Sequence, residues 1–296
     1  MASLLLLSGC SLAYQMGMGS DKLVVLDIGH FEGGPGARTP SKVNGKSITE
    51  HEFWYQYAYY AKRAIERGGY KCVVTNRGKK PTRRHMLAYA AKTHVVHIGK
   101  PDETSRGSYA SKYSPDRVGM GVVSADYALY RGASCVVFLH HNSNSNYWRK
   151  GGSPSLMLVN RYNGQELGDV MGRYLEEEIL DERGGMYNAG IGVRTVKRYG
   201  DGQSAASWLN VLDDYGVPAA VLEVAFLNNR NHAEYLAQHD KAIDYAEAVG
   251  EGIVEYMDQY GDAPRHVRAD RNKGDAGSFG RSRYNRRRAV AGAVKL

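Results

Sequence analysis

The sequence is poor in cysteine. Three residues in 296, Cys10, Cys72 and Cys135, supply no paired disulfide framework, and none stands at zinc-ribbon spacing. Cys72 and Cys135 lie inside apolar, strand-like runs and read as small core residues. Phenylalanine is scarce too, five residues against twenty-two tyrosines. A tyrosine joins an apolar ring to a polar tip, so most of them read as half-buried surface aromatics; a few would suit a carbohydrate-facing groove. No apolar run is long enough to cross a bilayer. The opening "LLLLSGC" has a very short apolar stretch with no basic residue before it, which makes a poor signal peptide. Two readings of residues 1–21 stand side by side: a leader that ends in a lipidated Cys10, or an upstream extension before a start at Met16 or Met18.

Charge is unevenly spread. From Asp262 to the end, ten basic residues face three acids, a net +7 out of a formal +8 for the whole chain. The cationic character is therefore expected to belong to the tail, with the body before it close to neutral. The tail, 261–296, has few large apolar residues and is expected to be disordered alone.

Strand-like and helix-like segments alternate through the body. "KLVVLDIGH" is a continuous apolar run that closes on Gly29-His30 and reads as a buried strand. After a glycine-rich loop, Phe53, Tyr57, Tyr60, Ala61, Ala64 and Ile65 share one helical face, which Gly68-Gly69 terminate. "KCVVTNR", "SCVVFLHH" and "PAAVLEVAFLNN" read as further strands. "GVVSADYALYRGA", "GQELGDVMGRYLEEEIL" and the segment from His232 to Tyr260 read as helices. This order implies an α/β fold: a single domain, 22–260, with a mostly parallel central sheet flanked by helices. Residues 78–115 are polar and irregular and read as an insertion.

Sites in open α/β sheets gather beyond the carboxyl ends of the strands. Two strands here end in histidine, at His30 and at His140-His141. Side chains alternate along a strand, so only one of the adjacent pair can face a shared site; pattern alone does not choose. A hydrolytic zinc site takes three protein ligands, commonly two histidines and a carboxylate. "SITEHEF" offers Glu50 and Glu52 at a helix start. With Ser47 as the cap Glu50 is the capping glutamate, and with Thr49 as the cap it is Glu52, leaving Glu50 free. Glu223 stands inside the otherwise apolar "PAAVLEVAF". A carboxylate buried there is costly unless paired or functional. "HVVH", His94 to His97, has no carboxylate nearby and reads as structural.

Taken in order, Gly29-His30, Glu50 at a helix start, His140-x-Asn142 and Glu223 within "PAAVLEVAFLNN" resemble the zinc-dependent N-acetylmuramoyl-L-alanine amidases of the Amidase_3 type. That family reads Asp-Pro-Gly-His, then Glu-Lys-Asp, then Ser-Ile-His-Ala-Asn, then Pro-Ala-Val-Leu-Val-Glu-x-Gly-Phe-Leu-Ser-Asn. The likeness runs from about Leu23 to Tyr260, and the last motif is the most specific. Ile28 replaces the family proline and Ala225 a family glycine. The 78–115 insertion matches nothing in the pattern; it could shape the substrate groove or dock a partner.

The resemblance implies His30, Glu50 and His140 as ligands of Zn2+ and Glu223 as the catalytic acid–base, in hydrolysis of the amide between N-acetylmuramic acid and L-alanine of peptidoglycan. It selects His140 over His141, and Glu50 over Glu52. A cationic tail would associate with the anionic bacterial envelope, with nucleic acid as the alternative polyanion. The settings that fit are a phage lysin reaching the host periplasm after release, or an envelope amidase anchored at Cys10. The alternative function is a non-catalytic wall-binding or virion structural protein with an amidase-like fold.

Overall fold

Leu23–Ile28 is apolar at every position but Asp27, and it forms β1 with all six residues buried. A computed structural model describes residues 22–30, 35–75, 124–125, 128–129, 131–143, 147–148, 155–180, 186, 190–196 and 206–266. The leader, the 78–115 insertion with "HVVH", and the tail beyond His266 lie outside the described residues.

After β1 come α1 (Glu50–Arg67), β2 (Lys71–Thr75), β3 (Cys135–Leu139), β4 (Ser155–Val159) and α2 (Gln165–Glu178). The chain continues through β5 (Ile191–Thr195), α3 (Ala206–Asp214), β6 (Ala219–Glu223), α4 (Arg230–Leu236) and α5 (His239–Tyr260). The six strands form one sheet in the order β2-β1-β3-β6-β4-β5. Pairing is parallel except between β4 and β6. The fold is thus a single α/β domain with a mostly parallel sheet, as the alternation of elements implies.

Alternation along the strands divides the core in two. Val24, Leu26, Val137, Leu139, Ala220 and Leu222 face α1, α2 and α5. Leu23, Val25, Val136, Phe138, Ala219 and Val221 face the other way, toward Leu209 and Leu212 of α3. β4, β5 and α3 do not stand out in the sequence reading. They are short, and the five residues of β5 are not fully buried, so neither period is sustained long enough to register. The helix expected from His232 to Tyr260 is broken into α4 and α5, with Asn229 and Gln238 as the two N-cap residues.

α1 begins where Thr49 caps it. The Thr49 hydroxyl accepts from Glu52 N at 3.3 Å and donates to Glu52 Oε2 at 2.8 Å, so Glu52 closes the capping box. Glu50, the first helical residue, is left outside that box. The buried face of α1 carries Phe53, Trp54, Tyr57, Ala58, Ala61, Ala64 and Ile65, and Trp54 is fully buried.

The chain does not leave the body at the end of α5. Arg265 Nη1 donates to the Tyr256 hydroxyl at 2.7 Å. The Asn163 side chain binds both backbone groups of His266, accepting from its N–H at 2.8 Å and donating to its carbonyl at 3.0 Å. Asn163 follows β4, whose last residue, Val159, pairs with Ala220 near the start of β6. His266 therefore sits toward the end of the sheet opposite the end of β6 that carries Glu223.

Trp54→Ala should lower stability by about 3–5 kcal/mol, read as a fall in the denaturant midpoint. Tyr59→Ala on the exposed side of the same helix should stay within about 0.5 kcal/mol of the parent.

Candidate metal centre

His30 follows β1 after Gly29, and it takes the left-handed conformation, φ 63°. A β-unbranched residue reaches that region at a cost and is usually held there by its surroundings. The turn carries the imidazole over the strand end. His140 follows β3, and its backbone N–H donates to Leu222 O of β6 at 3.1 Å. The indole Nε1 of Trp54 donates to the His140 carbonyl at 3.3 Å. The N-terminus of α1 is therefore laid against the ends of β1 and β3. His51 strengthens this junction, its Nδ1 lying 3.1 Å from the Gly29 carbonyl.

Glu50 reaches from that helix start to both histidines. Its Oε2 lies 3.2 Å from His30 Nε2, and its Oε1 lies 2.7 Å from His140 Nδ1. Each oxygen also accepts a backbone bond, Oε2 from Ala37 N at 2.7 Å and Oε1 from His141 N at 3.1 Å. One ligand atom from each of the three residues falls within 4.8 Å of the others. Burial alone would raise the Glu50 pKa, but hydrogen bonds from His140 and His30, and their charges, hold it well below the usual carboxylate range. Glu50 and His140 side chains are 3% and 10% exposed against 36% for His30, so the cluster opens on the His30 side.

Two glycines make room for these groups. A Cβ on Gly29 would fall 2.5 Å from His140 Cε1 and 2.7 Å from its Nε2. A Cβ on Gly36 would collide with Glu50 Oε2 and stand 2.6 Å from His30 Nε2, and its φ of 75° disfavours a side chain in any case. The donor set, two imidazole nitrogens and a carboxylate oxygen, fits a divalent zinc ion.

Glu223 ends β6 beside His140. By strand alternation it lies on the same side of the sheet as His140, and it is half-buried. Burial pushes its pKa well above the ordinary glutamate value, and the charge of Glu50 pushes it further. Its carboxylate makes no hydrogen bond or ion pair among the described residues.

A model of the Amidase_3 family, described as N-acetylmuramoyl-L-alanine amidase, matches residues 24–255. The chain belongs to this family. Among solved structures, it is similar to the N-acetylmuramoyl-L-alanine amidase AmiC2 of Nostoc punctiforme, at 19% identity and a TM-score of 0.52, over 81% of this chain and 99% of that one. It is similar to the same degree, 19% and 0.52, to the catalytic domain of CwlV, an N-acetylmuramoyl-L-alanine amidase from Bacillus (Paenibacillus) polymyxa var. colistinus, over 80% of this chain and 98% of that one. Identities this low speak to the fold. Comparison with curated protein sequences finds no match.

In this Amidase_3 chain the two adjacent histidines part company. His141 turns from the cluster into an aromatic cage. Its ring stacks on Trp54 and Tyr245 at centroid distances of 5.3 and 5.9 Å and meets Phe53 edge-on at 4.7 Å. Both ring nitrogens are buried without a hydrogen-bond partner among the described residues. Burial lowers its pKa to about 3, against an opposing pull from the charge of Glu50.

Four residues of the site surroundings have no counterpart in the sequence reading: Gly36, His51, Trp54 and the supporting role of Asp27. Trp54 could have been suspected, since it lies one helical turn after Glu50. Asp27 is buried behind the site and takes hydrogen bonds from Ser124 and, at 2.7 Å, from Thr75. Thr75 and Ser124 lie 48 and 97 residues away from it, so no local pattern reveals the cluster.

His141 is neutral in the fold down to about pH 3, whereas unfolded it gains a proton near 6.5. Its folded pKa is depressed, so stability is lost as pH falls from about 6.5 toward 3. His141→Phe should flatten that part of the curve by up to about 1.4 kcal/mol per pH unit, measured by denaturant unfolding across the window.

Proposed function

We propose that this protein hydrolyses peptidoglycan, cleaving the amide between the lactyl group of N-acetylmuramic acid and the L-alanine of the stem peptide. The observation that carries the reading is the meeting of His30, Glu50 and His140 at one sheet edge, with Glu223 ending the strand next to that of His140. Membership of the amidase family supports the same substrate.

His30, Glu50 and His140 would hold a zinc ion. When bound, it would supply a Lewis acid for the amide carbonyl and a water of lowered pKa. The residues of the chain divide the remaining work. Glu50, gripped by two backbone N–H groups, keeps its carboxylate ionised and fixed in place. Trp54 and His51 hold the strand ends to the helix that carries it. Glu223 would take the proton of the attacking water on a carboxylate oxygen and pass it to the departing alanine nitrogen. Its high proton affinity, from burial and from Glu50, suits a group that must keep a proton between those two transfers.

The basic tail is read as an arm for the anionic bacterial envelope, where the enzyme would act. Residues 76–123, also outside the described residues, carry ten Lys and Arg against three Asp and Glu, so the tail is not the sole basic segment. His266, from which the remaining tail departs, lies away from the cluster. Binding to the wall through the arm would therefore leave the metal centre clear.

Glu223→Gln should keep its zinc by elemental analysis but release stem peptide from purified sacculi about 10²–10⁴-fold more slowly; Glu50→Ala should lose the metal as well. Because Glu223 must be ionised to accept a proton, kcat/KM should fall as pH drops, along an acid limb lying above the ordinary 4.5. Full activity of Glu223→Gln would remove that residue from the reaction.

A chain truncated after His266 should bind sacculi less tightly than the full chain at low salt, and the difference should vanish as salt rises. Co-sedimentation measures both. Equal binding at every salt concentration would make the tail irrelevant to wall association.

A further inference from the structure

Asp27 is a buried acid for which the proposed reaction has no task. It stands in β1 three residues before His30, and the other side chains on its face of the strand, Leu23 and Val25, are apolar core. A third apolar residue would fill that place at no electrostatic cost, whereas a carboxylate there must be compensated. Burial pushes the Asp27 pKa up, and the hydroxyls of Ser124 and Thr75, with the charges of His140 and His30, pull against it.

The compensating bonds converge on one atom. Asp27 Oδ1 accepts from Thr75 Oγ1 at 2.7 Å and from the Ser124 hydroxyl, and the two hydroxyl oxygens lie 2.8 Å apart. All three residues are buried. Thr75 ends β2, and Ser124 is the next described residue along the chain. One oxygen of β1 thus gathers both ends of segment 76–123.

This knot lies where β1 hands over to the metal centre. The ladder between β1 and β2 stops at the Asp27–Thr75 pair, and that between β1 and β3 one residue later, at Ile28–Leu139. On the β3 side the Gly29 N–H still donates to Leu139 O at 3.0 Å. On the β2 side the ladder is finished by side chains, the Asp27 carboxylate holding the Thr75 hydroxyl. His30 follows at φ 63°, a conformation that persists only where the surrounding structure holds it.

We infer that Asp27 is a positioning residue of the metal centre: by gathering Thr75 and Ser124 on one oxygen, it fixes the end of β1 from which His30 turns to the ion. The inference rests on the reading of His30, Glu50 and His140 as zinc ligands and does not depend on the substrate. Residues that hold a ligand in place alter metal affinity when removed, although they never touch the ion.

The test titrates the full chain, stripped of metal, with Zn2+ in competition with a chromophoric chelator, at a temperature where each variant is folded by circular dichroism. The wild type should bind. Asp27→Val, which removes the acceptor, should weaken Zn2+ binding by about tenfold or more. Thr75→Val and Ser124→Ala, each deleting one hydroxyl, should weaken it by about three- to tenfold. Asp27→Asn, whose Oδ1 can still accept from both hydroxyls, should stay within about threefold of the wild type. Val25→Ala, on the same face of the same strand, should lose stability to denaturant yet keep wild-type affinity. Wild-type affinity in Asp27→Val, Thr75→Val and Ser124→Ala would overturn the proposal. So would a loss in Asp27→Asn as deep as in Asp27→Val, which would make the effect one of charge, or a matching loss in Val25→Ala, which would make it one of stability. If Asp27→Val does not fold, the two hydroxyl variants decide. A wild type that binds no Zn2+ would sink the metal reading and this inference together. A zinc-loaded wild type that releases no stem peptide from sacculi would sink the amidase reading alone.

Discussion

The carboxylate of Glu50 is the point on which the site hangs. Each of its oxygens meets one backbone N–H and one imidazole, so four groups from three chain segments converge on a single buried acid: Ala37 N–H, the His30 ring, and the His140 ring with the backbone N–H of His141. A carboxylate taken out of water needs this many partners to stay ionised. Those partners exist only when β1, β3 and the start of α1 are in register. Assembly of the donor set therefore depends on the fold, and the same imidazoles hold the Glu50 pKa below the usual carboxylate range.

The sheet sorts chemistry from structure by its two faces. His140 and Glu223 fall on one side, next to the open cluster. His141 falls on the other and becomes a neutral ring among Phe53, Trp54 and Tyr245. The same alternation that packs Leu139 against α1 thus decides which of two identical side chains can do chemistry. The direction of the strands adds a second polarity. The cluster sits at the carboxyl ends of β1, β3 and β6, while the clasp of Asn163 on His266 belongs to the other end of β6. The cluster and the root of the basic tail are kept apart by the length of the sheet.

Much of this was legible from residue order. β1 announced itself because a fully buried parallel strand is a continuous apolar run. α1 did so because Phe53, Tyr57, Ala61, Ala64 and Ile65 repeat at helical spacing before a glycine stop. Glu223 stood out because a charged residue in an apolar strand has no inexpensive structural excuse. β4, β5 and α3 were not legible, for they are short and their burial comes from neighbours distant in sequence. The break between α4 and α5 was hidden as well, since the apolar pattern continues across it with no proline or glycine to mark it. Near-neutrality of the body also concealed a division, because residues 76–123 are as strongly basic as the tail.

By itself, the sequence determined the class of fold and placed histidines and glutamates, the residue types of a hydrolytic site, at strand and helix ends, since these follow from local periodicity and residue type. Local pattern left open which glutamate would be free and which of the adjacent histidines would face it; only the family resemblance chose Glu50 and His140. The first was decided when Thr49 capped α1 and drew Glu52 into its box, and the second by the face of β3 that α1 and α5 cover. The left-handed turn at His30, the space kept by Gly29 and Gly36, and the seating of Trp54 on His140 were likewise settled only in three dimensions. Each depends on atoms brought together from segments tens of residues apart, and no local pattern encodes such a distance.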